Sequence, residues 1–573
     1  MTSDKRDNLW VRHRLIVLLL LGTLLYIPWL GFRDFWYPDE PDLAEVCRAM
    51  YLSGDWIVPR AHGEIWVDYP PMLYWVGTLS SHALGRMSEF ALRLPSALAA
   101  IALALATCAV GSRWFSPRAG LWAGLVLLTS SQFIWQAIGY RPDVLFSLFI
   151  GLGLFVYARG FGERERWGPR VAGFALLGGA ILTKGPLGLL LPGLVLTLWH
   201  GARREWRRLF ELAPLALVSL AVAVPWYVAC GAAMGTGDIL REMYLQNLAR
   251  FGSGFRGHGS PPYHYLIQIW VDLAPWALLL PVALWWIVRK ELWRDRNVQL
   301  ALWWFGAFFV FLSIAVTKRQ LYLLPAYPAA ALLIAPWLSE VSGMEAFQET
   351  PNHRAARAFV LIMSVALLAG GVLGIGAAAA MGTIATKIGF EAGVREVLSD
   401  LRLPMAVLSV ISFGAGLWMG AGWRRGKIGE AFSRLAVSSV LLFLLMVAWL
   451  IPVFNPVKTY VPQSRWIREQ VDGETRVGLV SLKGGYHRIG GFAYYTGIPV
   501  ELLESHDDVT RFFREHPRSL VLVQKSVADE FFTGRKWSLL PSHSAGWRAN
   551  VFHEFEAAGY RYLALRSTGV NRR

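Results

Sequence analysis

Three carboxylates, Asp39, Glu40 and Asp42, stand close together in residues 35–50 (FWYPDEPDLAEVCRAM), directly after the first long apolar run of the chain. Helix capping accounts for one of them, because Glu40 ahead of Pro41 opens a helix and acids are favoured at its positive end. A cap needs only one acid. The surplus fits general-base chemistry, with Asp39, and Glu40 beside it, taking a proton from an attacking oxygen, an effect commonly of about 10²–10⁴-fold. Asp42 is a supporting residue in this reading. The next cluster, EIWVDYPPMLYW at 64–75, sets Asp68 and Tyr69 ahead of two prolines that make a rigid turn into a helix. Both count as supporting residues of the same loop. Asp68 also pairs with the distant His258 as a candidate divalent-metal site, against the plainer reading of an ordinary surface Asp and His. No other cofactor is indicated.

Cations recur at the ends of apolar runs: Arg141 in YRPD, Lys184 in LTKGP, and Lys318 with Arg319 in TKRQLYLLPAYP. A charge at membrane depth costs about 2.5–3.5 kcal/mol on insertion scales, so each needs compensation. Snorkelling to the headgroups explains any one of them. As a group they suit a lipid phosphate, whose growing negative charge as a leaving group must be stabilised. Arginine clamps phosphate bidentately and lysine acts as a point charge. Asp143 is expected to orient Arg141 or a neighbouring cation.

The elements that must hold these residues follow from composition. Of 573 residues, 55% are hydrophobic and 17% charged, far from the balance of a water-soluble domain. The fold class read from this is a polytopic α-helical membrane protein. Apolar stretches of roughly 20 residues place helices near 15–31, 91–112, 118–137, 143–161, 171–184, 186–201, 210–230, 265–288, 298–316, 320–338, 357–380, 403–423 and 432–452, about thirteen crossings. The net charge of +16 lies largely in short connections at 113–118, 159–170, 203–208, 289–296 and 424–427. That pattern is the positive-inside signature rather than a nucleic-acid footprint. It puts the N-terminal tail, a retained anchor rather than a cleaved signal, in the cytoplasm and the C-terminus outside.

Residues 70–84 are apolar but short and read as an interfacial or re-entrant helix within a first outer loop spanning 32–93. Gly-rich residues 236–262 read as a mobile lid. Residues 1–456 form the transmembrane domain and 457–573 an extracytoplasmic α/β domain. Its expected strands are 476–480, 519–524 and 560–565, and its helices 462–471, 507–516 and 527–532. No glycine fingerprint for a nucleotide opens any of these helices. Cys47, Cys108 and Cys230 show no metal or redox spacing, although one disulfide between Cys47 and Cys230 stays open. Most of the 27 tryptophans are interfacial anchors, and only Trp36, Trp56 and Trp66 share the loop with the acids.

With these residues assembled, the chain resembles the C-type glycosyltransferase superfamily, specifically bacterial relatives of the protein O-mannosyltransferases and the lipid A aminoarabinose transferase. The resemblance rests on YPDEPDLAE, DYPPMLYW, RLPSALAA at 93–100, RPD at 141–143, LTKGP at 182–186 and KRQLYLLPAYPAAALL at 318–333. It implies a polyprenyl-phosphate-sugar donor, an inverting transfer, a catalytic acid matching Asp39, and a carrier phosphate held by Lys184 and nearby basic residues. In the aminoarabinose transferases an arginine follows the Asp-Glu pair and a lysine precedes the proline of the next motif. Asp42 and Tyr69 stand at those places here, so the sugar and the acceptor (lipid A, glycan or protein) stay open. The C-terminal domain looks similar to the periplasmic domain of the lipid A enzymes, and the whole implies the outer face of a bacterial inner membrane.

Two other classes compete. A transporter or flippase for a lipid-linked sugar fits the many helices, but paired halves with broken helices at matching positions are not evident. A noncatalytic assembly protein fits the large loops. Whether Asp39, Arg141 and Lys184 meet at one place separates all three.

Overall fold

The computed structural model describes residues 11–61, 64–161, 165–235, 241, 259–343, 350–387, 392–472, 474–480, 489–525, 528, 540–541, 547–557 and 560–570. Helix α1 (Arg14–Tyr26) leads into the first loop. That loop carries α2 (Glu40–Ser53), a hairpin of β1 (Arg60–Ala61) and β2 (Glu64–Ile65), and α3 (Met72–Ala83). The membrane bundle continues through α4 (Glu89–Trp114), α5 (Pro117–Leu128), α6 (Ser131–Ala137), α7 (Pro142–Ala158), α8 (Trp167–Lys184), α9 (Leu187–Ala202) and α10 (Trp206–Met234). It closes with α11 (His264–Asp272), α12 (Leu279–Arg289), α13 (Arg296–Ile314), α14 (Tyr327–Ser342), α15 (Pro351–Lys387), α16 (Ala392–Arg424) and α17 (Ile428–Leu445).

Seven helical stretches among the described residues are long and apolar enough to cross a bilayer, or eight if α6 and α7, bent by 113°, count as one. The stretch Gln320–Ser342 is 89% buried while Trp206–Met234 and Pro351–Met381 are only 22% buried, which makes α14 the centre of the bundle and α10 and α15 its lipid-facing edge. The small residues of YPAAALLIAP let neighbouring helices approach that centre closely. Local signals start several helices: the Ser88 and Ser116 hydroxyls accept from the Ala91 and Ala119 amides at the heads of α4 and α5.

Two expected single helices are broken. The stretch 118–137 divides at Thr129–Ser130, whose hydroxyls turn back onto the carbonyls of Leu125 and Val126 and compete with the helical ladder. The stretch 265–288 divides into α11 and α12 around Pro275, which has no N–H to continue a helix. The expected interfacial helix at 70–84 is α3, about 18 Å long and too short to span. One face of it, with Leu73, Tyr74 and Gly77, is buried, while Leu79 and Leu84 face outward. Of the expected lid, only residues 241 and 259–262 are among the described residues. Its last part is pinned, with the Ser260 amide on the Val316 carbonyl at 3.2 Å.

The C-terminal region folds as α18 (Val461–Gln470), β3 (Val477–Val480), α19 (Ile489–Thr496), β4 (Val500–Leu503), α20 (His506–Glu515), β5 (Leu520–Gln524), β6 (Leu540–Pro541), β7 (Trp547–Ala557) and β8 (Tyr560–Val570). The strand order is β4-β3-β5-β8-β7-β6, with β4, β3 and β5 parallel and β8 and β7 antiparallel. The expected strands correspond to β3, β5 and β8. Strand β4 has an exposed Glu501 in its four residues where β3 is wholly buried and apolar, and β7 carries a register shift at Val551/His553 that breaks the period of two. The expected helix 527–532 lies outside the described residues except at Ala528. Cys47, Cys108 and Cys230 are all buried and free, so the disulfide left open between Cys47 and Cys230 is not formed. Thiol reagents are accordingly expected to label the native protein slowly and the denatured protein at all three cysteines, as counted by mass spectrometry.

Candidate active site

Glu40 and Asp39 are neighbours with opposite fates. Helix α2 begins at Glu40, one residue earlier than the expected start at Pro41, and the Asp39 side chain makes no capping bond. Glu40 is buried between two guanidinium groups. Its Oε1 accepts from Arg93 Nε (3.0 Å), Arg33 Nη2 (3.2 Å) and the Tyr140 amide (2.8 Å). Its Oε2 accepts from Arg93 Nη2 (3.0 Å), the Trp36 amide (3.2 Å) and Arg33 Nη1. Burial would raise this carboxyl, but Arg33 and Arg93 outweigh it and hold the group far below the usual carboxylate range. At 3% exposure this carboxylate has no access to an acceptor oxygen, and the expectation of a catalytic Glu40 is corrected: it is a strut that ties α2 to α4 and to Tyr140. Arg93 completes the strut with bonds to the carbonyls of Leu30, Arg33 and Asp34.

Asp39, by contrast, is 20% exposed and lies between two cations. Its Oδ2 is 2.7 Å from Arg141 Nη2 and 2.5 Å from Arg319 Nη2, and its Oδ1 is 3.4 Å from Arg319 Nη1. Arg141 stands at the cap position of α7, where Pro142 begins the helix, so its side chain leaves from an extended residue at the helix mouth. Arg319 occupies the turn between α13 and α14, near Tyr69 and Tyr322. Burial would lower the Arg319 guanidinium, yet the Asp39 carboxylate raises it above the ordinary arginine value.

Lys184 is the last residue of α8 and ion-pairs with Asp143 in the first turn of α7. Gly185 follows at φ +75°, a backbone that side chains resist, and lets the chain reverse into Pro186 and α9 so that Lys184 ends on the inward side. The ammonium also faces the rings of Tyr322 (5.2 Å) and Phe146 (5.6 Å). Asp143 thus orients Lys184, the neighbouring cation, rather than Arg141. Two ion pairs therefore sit side by side on the mouth of α7, linked through the consecutive residues Arg141, Pro142 and Asp143.

Other expected site residues are placed differently. Lys318, expected to bind phosphate, is buried and its ammonium bonds the carbonyls of Ser260 (2.9 Å) and Ala315, which spends it on holding the turn. Asp42 is buried, with Oδ1 accepting from the Gly490 amide (3.1 Å). Asp68 lies near Tyr74. Its proposed metal partner His258 lies outside the described residues, and among the described residues no group of three or more His, Cys, Asp or Glu is arranged to hold a metal. Trp36 packs beside the Glu40 strut, with its indole N–H on Asn455 Oδ1 (2.9 Å) and the Arg33 guanidinium over its ring. Trp56 instead stacks on His82. Sequence reasoning missed Arg33 as a partner and read Arg93 only as part of a motif. An arginine opening a long apolar helix directly behind an acidic loop was the available signal.

The fold and the relatives of this chain define a C-type glycosyltransferase. The structure superposes on the crystal structure of ArnT from Cupriavidus metallidurans bound to undecaprenyl phosphate with a TM-score of 0.76 and 20% identity, covering 96% of this chain and 97% of that one. The oligosaccharyltransferase AglB of Archaeoglobus fulgidus matches at a TM-score of 0.50 and 11% identity, over 91% of this chain and 70% of that one. The family model for dolichyl-phosphate-mannose-protein mannosyltransferase matches residues 68–228. An undecaprenyl phosphate-alpha-4-amino-4-deoxy-L-arabinose arabinosyl transferase of Edwardsiella ictaluri is 31% identical over 417 residues, 70% of this chain and 71% of that protein. The Pseudomonas aeruginosa transferase of the same name is 30% identical over 64% of each. The chain belongs to this arabinosyl transferase family and is a multi-pass glycosyltransferase of a bacterial inner membrane.

Proposed function

We propose that the chain moves a sugar from an undecaprenyl-phosphate-type carrier to an acceptor hydroxyl on lipid A, a glycan or a protein, with inversion, at the outer face of the membrane. The acceptor oxygen attacks the anomeric carbon and its proton passes to Asp39. The bond from that carbon to the phosphate oxygen breaks, and its electron pair leaves on the phosphate. Arg141, Arg319 and Lys184 neutralise the departing dianion. The observation that carries this reading is Asp39 clasped by Arg141 and Arg319: base and phosphate-binding cations meet at one partly exposed spot. A phosphate that engages the two arginines competes with Asp39 for them, which releases the carboxylate toward the acceptor when the donor is in place.

The reading includes about thirteen crossings, residues 457–573 as an extracytoplasmic domain, and the N-terminal tail in the cytoplasm. It draws support from the contacts of that domain with the acidic first loop. A strain lacking the protein is expected to accumulate the undecaprenyl-phosphate-linked sugar and to lose the matching sugar from an envelope component, both read by mass spectrometry. No change in either would refute the transferase reading. For the donor site, Arg141→Ala is expected to weaken undecaprenyl phosphate binding by about 10–100-fold, the worth of one charge-assisted hydrogen bond. Arg141→Lys keeps the charge but loses the fork, and falls between the two in a lipid titration.

A further inference from the structure

The residues flanking Asp39 are held from the soluble domain and the stem that joins it to the bundle. Asp34 accepts from Asn455 Nδ2 (2.9 Å) and Thr459 Oγ1 (2.6 Å), and its amide donates to Asn455 Oδ1 (3.1 Å). The Phe35 amide donates to the Tyr495 hydroxyl (2.7 Å), which itself donates to Glu89 Oε1 (2.8 Å). Trp36 reaches Asn455 through its indole. On the far side of Asp39, the Asp42 carboxylate receives the Gly490 amide.

Helix α19 is a thin plate between two surfaces. A Cβ on Gly490 would lie 2.4 Å from Asp42 Oδ1 and 2.5 Å from its Cα. A Cβ on the next residue, Gly491, would lie 2.3 Å from the Tyr460 ring. Phe492 packs edge-on against Tyr460 (5.0 Å) and Tyr562 (5.3 Å) in the core of the sheet. Tyr494 packs edge-on against Phe35 (5.1 Å), whose ring carries the Arg93 guanidinium (4.9 Å) that grips Glu40. Hydrogen bonds from the sheet domain therefore end on residues 35 and 42 on either side of the base, and those from its stem on 34 and 36.

We propose that α19 is a positioning element of the reaction, with Gly490 and Tyr495 setting where Asp39 stands, so that the soluble domain is a working part of the transferase centre. This rests on Asp39 being the base. A base moved by about 1 Å can lose 10²-fold in rate. Gly490→Ala in the full-length protein, which forces α19 off Asp42, is expected to lower kcat for sugar transfer by about 10²-fold, and Tyr495→Phe, which removes one oxygen from the Phe35 amide, by about tenfold. The donor is the undecaprenyl-phosphate sugar extracted from the deletion strain. Affinity for undecaprenyl phosphate itself should stay at the wild-type value or rise, because Arg141, Arg319 and Lys184 lie on the bundle.

A purely structural role would reduce the yield of folded protein and leave the kcat of the folded fraction alone. Wild-type kcat in both folded variants, or loss of undecaprenyl phosphate binding in parallel with kcat, overturns the proposal. Failure of both variants to fold assigns α19 to folding and overturns it as well. Asp39→Asn run alongside separates the two claims: if it is inactive while both α19 variants are at wild-type rate, the base stands and the positioning role falls. If Asp39→Asn is fully active, the base assignment falls and takes this inference with it.

Discussion

Exchange of Asp39 for asparagine is expected to lower kcat by about 10²–10⁴-fold, the usual worth of a positioned general base, with little change in fold. The isostere keeps the shape of the carboxylate and one oxygen for an arginine, but it cannot take the acceptor proton. Its effect on the donor should run the other way. Arg141 and Arg319 lose the anion they share at 2.7 and 2.5 Å, so undecaprenyl phosphate meets two cations with no competitor. The affinity should stay level or tighten, a split that loss of folding cannot mimic. The measurement is single-turnover transfer set beside a lipid titration on the same preparation. Full transfer by the variant removes Asp39 as the base, and weakened lipid binding removes the competition between carboxylate and phosphate.

The largest effect on stability is expected at the neighbouring residue. Glu40→Ala deletes six hydrogen bonds from Arg33, Arg93 and the amides of Trp36 and Tyr140. It leaves Arg33 at 7% and Arg93 at 0% exposure without the carboxylate they share. Breaking one side of a buried ion pair costs about 3–5 kcal/mol, most of it the penalty of the abandoned charge. Denaturant unfolding in detergent, followed by tryptophan fluorescence, reads this directly, and a loss under about 1 kcal/mol would contradict the strut described for Glu40. The pH dependence has a definite sign. The folded carboxyl lies below its ordinary value of 4.5, so its stabilisation is complete above that value and is lost only as pH falls through the lower, folded value. Between about pH 5 and pH 8 this pair should therefore contribute no slope to stability.

How far such residues can be read in advance depends on what each must contact. Asp39 and Lys184 were legible because a charge beside an apolar run has a solvation cost that demands a reason. Arg141 stood out on the same ground. Division of labour among neighbours was not legible. Asp39 and Glu40 are adjacent acids, yet Glu40 is sealed between buried arginines while Asp39 pairs with Arg141 and Arg319 at a partly exposed spot. Lys318 and Arg319 are adjacent cations, and an isolated antiparallel bridge between Gly259 and Thr317 turns one into the backbone and leaves the other for Asp39. These choices depend largely on residues 53 to 280 positions away, which no local pattern encodes.

By itself the amino-acid sequence determined that the chain is a multi-pass helical membrane protein, and it marked an acid and several cations beside the apolar runs. Those features depend on local solvation: apolar length, charge cost and the turn preferences of Gly and Pro act within a few residues. Only the tertiary structure decided that Glu40 is a buried strut while Asp39 pairs with Arg141 and Arg319 at a partly exposed spot, that Asp143 serves Lys184, and that α19 of the C-terminal region bears on the loop holding Asp39. The reason is that a side chain's availability is set by which distant groups have already bonded its polar atoms, a property of packing rather than of neighbours along the chain.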